Sequence, residues 1–371
     1  MKVRLFGLTA SFAVVGASLA FVGCGGSGSS SVSASKVLLG QRLFNDTGLS
    51  DPPGQSCASC HKAAAGFADD RQDSPTSEGA VHGLFGNRQA PTAMYMAFSP
   101  PFHFDDDEGD YIGGQFWDGR AATLADQAGP PMLNPLEMNN ASKAEVVDKV
   151  RNSQFAGLMV KVYGPAIFND TETAFAAIRE SIAEFEKTKT FAPFSSKYDA
   201  FLAGKTALTD AETRGLDLFN NKAGCAACHP SSSDTSTPPL FTDFTYDNIG
   251  LPKNVNNKFY TDLAHNPDGA GFIDTGLEKT TGRPDDAGRF KVATLRNVAV
   301  TAPYFHNGVA ATLTDAVQFY NKRNSGIFGI AEIPATQNNE ELGDLHLTDD
   351  EVSDIVAFLK TLTDGWHPGA S

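Results

Sequence analysis

The chain has 371 residues, 41% of them hydrophobic, which is enough for two domains at roughly 150 residues each. Its net charge of −15 argues against nucleic acid or anionic lipid as a partner. Such an acidic surface suits a basic protein partner, a small neutral substrate, or the solubility of an exported chain.

The N-terminus reads as an export signal over residues 1–24. Lys2 and Arg4 precede a mostly apolar stretch from Leu5 to Val22, with small residues before Cys24. The stretch is too short and too rich in Gly and Ala for a permanent membrane span. Phe21-Val22-Gly23-Cys24 resembles a bacterial lipoprotein box, with Phe where Leu is usual. Lipidation at Cys24 would place the protein in the periplasm, anchored to the outer membrane; an ordinary cleaved signal peptide is the alternative. Residues 25–35, nearly all Gly, Ser and Ala, read as a flexible tether. No later segment is apolar enough to cross a bilayer.

Residues 36–204 are expected to form a first domain and 205–371 a second, because the halves echo each other. Leu39-Gly40-Gln41-Arg42-Leu43-Phe44-Asn45 precedes Cys57-Ala58-Ser59-Cys60-His61, and Arg214-Gly215-Leu216-Asp217-Leu218-Phe219-Asn220 precedes Cys225-Ala226-Ala227-Cys228-His229. Each lead-in has apolar residues at helical spacing. Further helices are predicted over 172–187, 209–220, 313–323 and 348–363, with capping-box patterns at Ser142, Thr209 and Thr348. Strand signals are few, and 68–92 and 230–289 read as long loops that wrap something in place of a core. The fold class is mainly α, with two small helical domains.

Of five cysteines, four form the CxxC pairs and Cys24 stands apart, so none is left over for a disulfide. Thiols three positions apart can bond the two vinyl groups of one haem, and the adjacent His then ligates the iron. Cys57, Cys60 and His61 thus predict one covalent haem c, and Cys225, Cys228 and His229 a second. A zinc site would need further Cys or His at ligand spacing, which neither pair has. All six methionines precede the second motif, so its haem cannot draw a Met ligand from its own half.

Several blocks, in order, carry a resemblance that covers residues 36 to 363. They are Leu39-Gly40-x-x-Leu43-Phe44, the first CxxCH, Ala90-Pro91-Thr92, Gln115-Phe116-Trp117-Asp118-Gly119-Arg120, Asn134-Pro135-Leu136-Glu137-Met138, the second CxxCH, and Thr294-Leu295-Arg296-Asn297 with Thr301-Ala302-Pro303-Tyr304-Phe305-His306. With these the chain resembles the bacterial di-haem cytochrome c peroxidase/MauG family. The resemblance implies two cytochrome c-like haem domains, the first peroxidatic and the second an electron store. It implies hydrogen peroxide as substrate and a small donor such as cytochrome c, and it leaves a homodimer open.

By the same resemblance Glu137 is the acid/base over the first haem, Gln127 orients peroxide, and Trp117 relays electrons between the haems. On residue type alone these three would be a loop carboxylate, a helix surface amide and a core aromatic. Arg120 and Arg296 are expected to meet haem propionates or nearby backbone, with structural ion pairs as the alternative. His82 lies near where the peroxidases place a His that blocks the resting first haem, and His103 is a weaker candidate. The family holds Ca²⁺ between its haems through an Asn side chain and two carbonyls; Gln89, Thr301 and Pro303 stand at those positions. An insertion carries Asp105-Asp106-Asp107-Glu108-Gly109-Asp110, which reads as a solvated acidic loop, with Ca²⁺ binding or docking of a basic partner as alternatives. Tyr320 stands where conventional peroxidases have the Met ligand of the second haem and where MauG has Tyr; His306 and His265 are the fallback ligands. A Tyr-ligated second haem is hard to reduce. That motivates a second reading, MauG-like oxidation of side chains on a partner protein through a high-valent di-haem state. A third is a non-catalytic electron carrier.

Overall fold

Five of the long helices start where a side chain caps them. In the computed structural model, which describes residues 27–71, 73–233 and 235–369, the Thr209, Thr312 and Thr348 hydroxyls accept from the backbone N–H three residues on. A carboxylate at that third position accepts in return, closing a capping box each time. Ser142 and Asp170 cap in the simpler one-way form.

The first half runs α1 (Ser27–Phe44), the one-turn α2 (Cys57–Cys60), β1 (His103–Asp105), β2 (Asp110–Ile112), α3 (Leu124–Gln127), α4 (Pro130–Leu133), α5 (Lys143–Arg151), α6 (Ala156–Tyr163) and α7 (Thr171–Glu186). The second runs α8 (Lys197–Leu202), α9 (Asp210–Asn220), β3 (Tyr246–Asp247), α10 (Glu278–Thr281), β4 (Phe290–Lys291), α11 (Leu313–Lys322) and α12 (Asp349–Lys360). The molecule is mainly helical with little sheet. Among the described residues no helix is long and apolar enough to cross a membrane.

Two cores form around two equivalent helix crossings. At α1 over α7, a Cβ on Gly40 would lie 1.8 Å from the Ser181 carbonyl oxygen; at α9 over α12, one on Gly215 would lie 2.0 Å from that of Asp354. Only glycine permits backbones so close, which is why both echoed lead-ins contain one. Phe44 packs edge-on to Phe67, Phe185 and Phe191, with centroids 6.3, 5.6 and 5.6 Å apart. Phe219 meets Phe241 and Phe358 at 6.2 and 5.2 Å in the same manner. Truncating buried rings of this kind costs ~3–5 kcal/mol each.

Two expectations change here. The stretch 27–35, expected to be a flexible tether, is helical, because once Leu39, Leu43 and Phe44 are fixed against α7 the preceding residues need only propagate the helix. The acidic insertion is a hairpin: β1 pairs antiparallel with β2, His103 opposite Ile112. Gly109 (φ 70°) turns the chain, and Asp105 Oδ1 accepts from the Asp107 and Glu108 N–H groups. The export signal and Cys24 lie outside the described residues. β3 pairs antiparallel with β4 across a long loop, Tyr246 opposite Lys291 and Asp247 opposite Phe290.

Candidate active site

Each CxxCH motif lines its own cavity, about 180 Å³ for the first and 240 Å³ for the second. In the first, α2 is a single turn held by reciprocal Ser56 and Ser59 contacts, so Cys57 and Cys60 share a face. In the second, Gly224 (φ 65°) leads into a 3₁₀ turn over Cys225–Ala227. His61 Nδ1 lies 2.9 Å from the Phe67 carbonyl and His229 Nδ1 2.8 Å from that of Phe241. A carbonyl only accepts, so each ring carries its proton on Nδ1 and leaves Nε2 bare. Phe67 and Phe241 both have φ 54°, a left-handed backbone that buries the ring in the aromatic cluster while aiming the carbonyl at the histidine. Burial lowers both imidazoles, His229 to about 4, so neither ring is charged at neutral pH.

The four thiols are free, and burial pushes each up to about 12. Among the described residues no three His, Cys, Asp or Glu side chains cluster as they would around zinc. Paired neutral thiols beside a histidine with a bare nitrogen, on a mostly apolar cavity, fit a covalent haem instead.

Glu137, Gln127, Trp117 and Arg120 all line the first cavity. Glu137 lies in the turn after α4, where Asn134 Nδ2 donates to its Oε1 at 2.9 Å. Burial raises its pKa, and Arg120 opposes that only in part. No protein group among the described residues hydrogen-bonds the Gln127 amide side chain. Arg120 stacks on Phe116 at 3.6 Å and pairs with Asp118 at 2.8 Å. Arg88 lines the first cavity, with its three nitrogens on Asp274 and Asp118 at 2.6–2.7 Å, and Asp274 lines the second.

Trp117 borders both cavities, and its Nε1 donates to the Gln89 carbonyl at 2.9 Å. Its loop is bracketed by a Gln115–Ala121 bridge, and the His306 loop by an equivalent Tyr304–Ala310 bridge. The preceding Phe116 and Phe305 share φ values of 64° and 71°. Trp117 and His306 are therefore counterparts, and their rings meet edge-on at 6.5 Å. His306 is buried and stacked on Phe290 at 3.5 Å, with neither ring nitrogen partnered. Burial pushes it down to about 3. Lys291 also borders both cavities; its Nζ donates to Ser99 Oγ and the Gly114 carbonyl, and burial draws it down to about 7.

Tyr320, on α11, lines the second cavity, and its hydroxyl has no hydrogen-bond partner among the described residues. Burial pushes its pKa well up, and nearby Cys225, Cys228 and Asp247 add to the effect. Gln89, Thr301 and Pro303 line the same cavity.

Other residues singled out in the sequence go elsewhere. Arg296 is fully buried, but its guanidinium is spent on Asp199 (2.9 and 3.1 Å) and the Pro239 carbonyl (2.7 Å), so it is a structural ion pair outside both cavities. His82 is 98% exposed and paired with Glu78, because its loop turns outward, and it lines neither cavity. His103 and His265 are exposed beside Asp105 and Asp262. Glu186 was not singled out. It is 6% exposed, lines the first cavity, and its Oε2 has no partner. The available signal was a carboxylate on the apolar face that carries Ile178, Ile182 and Phe185.

A family model described as di-haem cytochrome c peroxidase matches residues 34–207. The chain is 40% identical over 349 residues to the methylamine utilization protein MauG of Paracoccus denitrificans, covering 88% of each. It is 35% identical to the cytochrome c peroxidase Ccp of Escherichia coli over 90% of this chain, but spans 59% of that relative. Among solved structures, the di-haem peroxidase BthA of Burkholderia thailandensis superposes with a TM-score of 0.80 at 34% identity, over 89% of this chain and 86% of that one.

Proposed function

The chain belongs to the di-haem cytochrome c peroxidase and MauG family, and from that premise we propose that it reduces hydrogen peroxide at the first cavity with electrons drawn through the second. Each half, 36–204 and 205–371, is then one haem domain. Cys57 with Cys60 and Cys225 with Cys228 hold the two haems c covalently; His61 and His229 ligate through their bare Nε2 atoms. Haem iron supplies the redox chemistry that cleaves the O–O bond.

The chain's own residues handle substrate and protons. Glu137 in its carboxylate form takes a proton from the near peroxide oxygen and returns it to the departing one. Burial raises its pKa above that of a free carboxyl, which helps it hold the proton between the two transfers. Asn134 fixes Oε1 and leaves Oε2 for this transfer. The unpartnered Gln127 amide orients peroxide, and Trp117, in the shared wall, carries electrons. Two electrons from a small donor protein and two protons from water complete the conversion to two waters. Arg120 remains a candidate for a propionate, and Gln89, Thr301 and Pro303 for a calcium ion that braces the wall. We place the protein in the periplasm, with a lipid at Cys24.

The observation that carries this reading is the convergence of Glu137 and Gln127 on the cavity of the first CxxCH. Glu137→Gln should lower steady-state peroxide reduction by ~10²–10⁴-fold while leaving two haems bound. Unchanged turnover would overturn the assignment and favour an electron carrier.

Tyr320 favours a second reading, oxidation of side chains on a partner protein. Its unpartnered hydroxyl faces the second cavity, and no methionine follows Met159. An anionic oxygen ligand there would disfavour reduction. Peroxide added to the fully oxidised protein should then produce a long-lived oxidised state, read by low-temperature EPR and altered in Tyr320→Phe. Strict dependence on prior reduction would select the conventional peroxidase.

A further inference from the structure

The fold asks for nothing polar where Glu186 sits. The two helix crossings superpose Gly40 over Ser181 on Gly215 over Asp354, with Phe185 and Phe358 next in contact at each. In that register Ile182 corresponds to Ile355 and Glu186 to Leu359, and each pair lines its own cavity. The same slot holds a leucine in one half and a carboxyl in the other. Leucine satisfies the helix crossing, so the carboxyl is surplus to it.

That carboxyl is nevertheless 94% buried, being 6% exposed, and its Oε2 has no hydrogen-bond partner. Buried polar atoms are rarely left so, and those that are usually serve a bound group or a proton. The charged groups of the elements packed on α7 are engaged elsewhere. Lys36 of α1 pairs with Glu180, Asp126 of α3 with Arg179, Lys143 and Lys149 of α5 with Glu172 and Glu145, and Arg151 with Asp148. Arg42 is exposed, and Lys187 pairs with Glu184. The other ionisable residues lining the cavity are Cys57, Cys60, His61, Glu78, Arg88, Arg120, Glu137 and Lys291; Arg88 is bound to Asp274 and Asp118, Arg120 to Asp118, and Lys291 to Ser99 and the Gly114 carbonyl. Of these, Cys57 feels the Glu186 charge. Among the described residues no cation pairs with Glu186, and burial holds its pKa near 8.

We propose that Glu186 is the proton-holding carboxyl of the first haem site, taking up one proton when that site gains one electron and releasing it when the electron leaves. The electron comes from the one-electron donor of the peroxidase reaction and the proton from water. Glu186 passes from carboxylate to carboxylic acid, and only its O–H bond forms or breaks. An added electron in an enclosed, weakly polar cavity raises the proton affinity of a carboxylate beside it. The leucine at the equivalent place deprives the second site of this carboxyl, so the contribution of Glu186 to the pH dependence belongs to the first haem alone.

The inference rests on the reading that the first cavity holds haem, which haem content tests separately: two haems per chain by pyridine haemochrome sustain that reading whatever follows. On the loaded full chain, optical redox titrations should span about two pH units either side of 8. The first-site electron affinity should fall up to tenfold per pH unit, about 59 mV. Glu186→Leu and Glu186→Gln should flatten that dependence and leave the second haem's profile unchanged. The reduced-minus-oxidised infrared difference spectrum should show a carboxylic-acid C=O band that persists in Glu137→Gln and vanishes in Glu186→Gln. A wild-type slope retained in both haem-loaded Glu186 variants overturns the proposal. Should neither variant load, absence of that band from the wild type does so.

Discussion

At Asp274 two opposed effects meet. Burial favours the neutral acid, but the Arg88 guanidinium, bound through two nitrogens at 2.6 Å, outweighs it and holds the carboxyl down at about 2. A depressed carboxylate adds stability at any pH above its unfolded value of about 3.9, and that stability is lost as pH falls towards 2. Arg88→Met strands Asp274 without its arginine and leaves Asp118 with Arg120 alone, at a cost of ~3–5 kcal/mol. Denaturant melts should show that loss at neutral pH and a shrinking difference from wild type as the medium is acidified; parallel curves would refute it. Single residues were unevenly legible in the sequence. The two CxxCH motifs were plain, because bond chemistry dictates the spacing of such a motif. Arg120 and Arg296 looked alike, and only Asp199, distant in sequence, separates the cavity residue from the structural one. Glu186 went unremarked, because its place in the helix does not say what packs over it.

The helix crossings are where element-scale constraint concentrates. Gly40→Ala would drive a methyl into the Ser181 carbonyl, 1.8 Å away, with rigid backbone on both sides. Overpacking of this kind costs ~1–3 kcal/mol. Gly157 in α6 is the contrasting case, exposed and with nothing within 4 Å of an added Cβ. Alanine there should stabilise by ~0.5–1 kcal/mol, from the helix propensity alone. Thermal melts of the two variants should move in opposite directions; a shift of the same sign would show that the crossing is not the constraint. Helices at 172–187, 209–220 and 348–363 were readable because caps and apolar period agreed. The start of α1 was not, since Ser and Ala signal neither helix nor coil strongly and tertiary support from α7 decides. The β1–β2 hairpin was masked by its acids.

Across the whole molecule, the charge of −15 bears on how electrons arrive. A basic cytochrome donor would be steered by the field, so its second-order rate should fall steeply as salt shortens the screening length to about 10 Å at 0.1 M. A small neutral donor should show no such fall; equal salt dependence for both would exclude steering. The repeat was legible at this scale, but the contact between its copies was not. Trp117 and His306 occupy equivalent loops and touch, and Lys291 to Thr294 from the second half wall the first cavity. Two halves that meet through equivalent loops constrain each other there. Neither copy can drift in that loop without reshaping its twin's chamber, and a severed first half would face water where its sibling now stands.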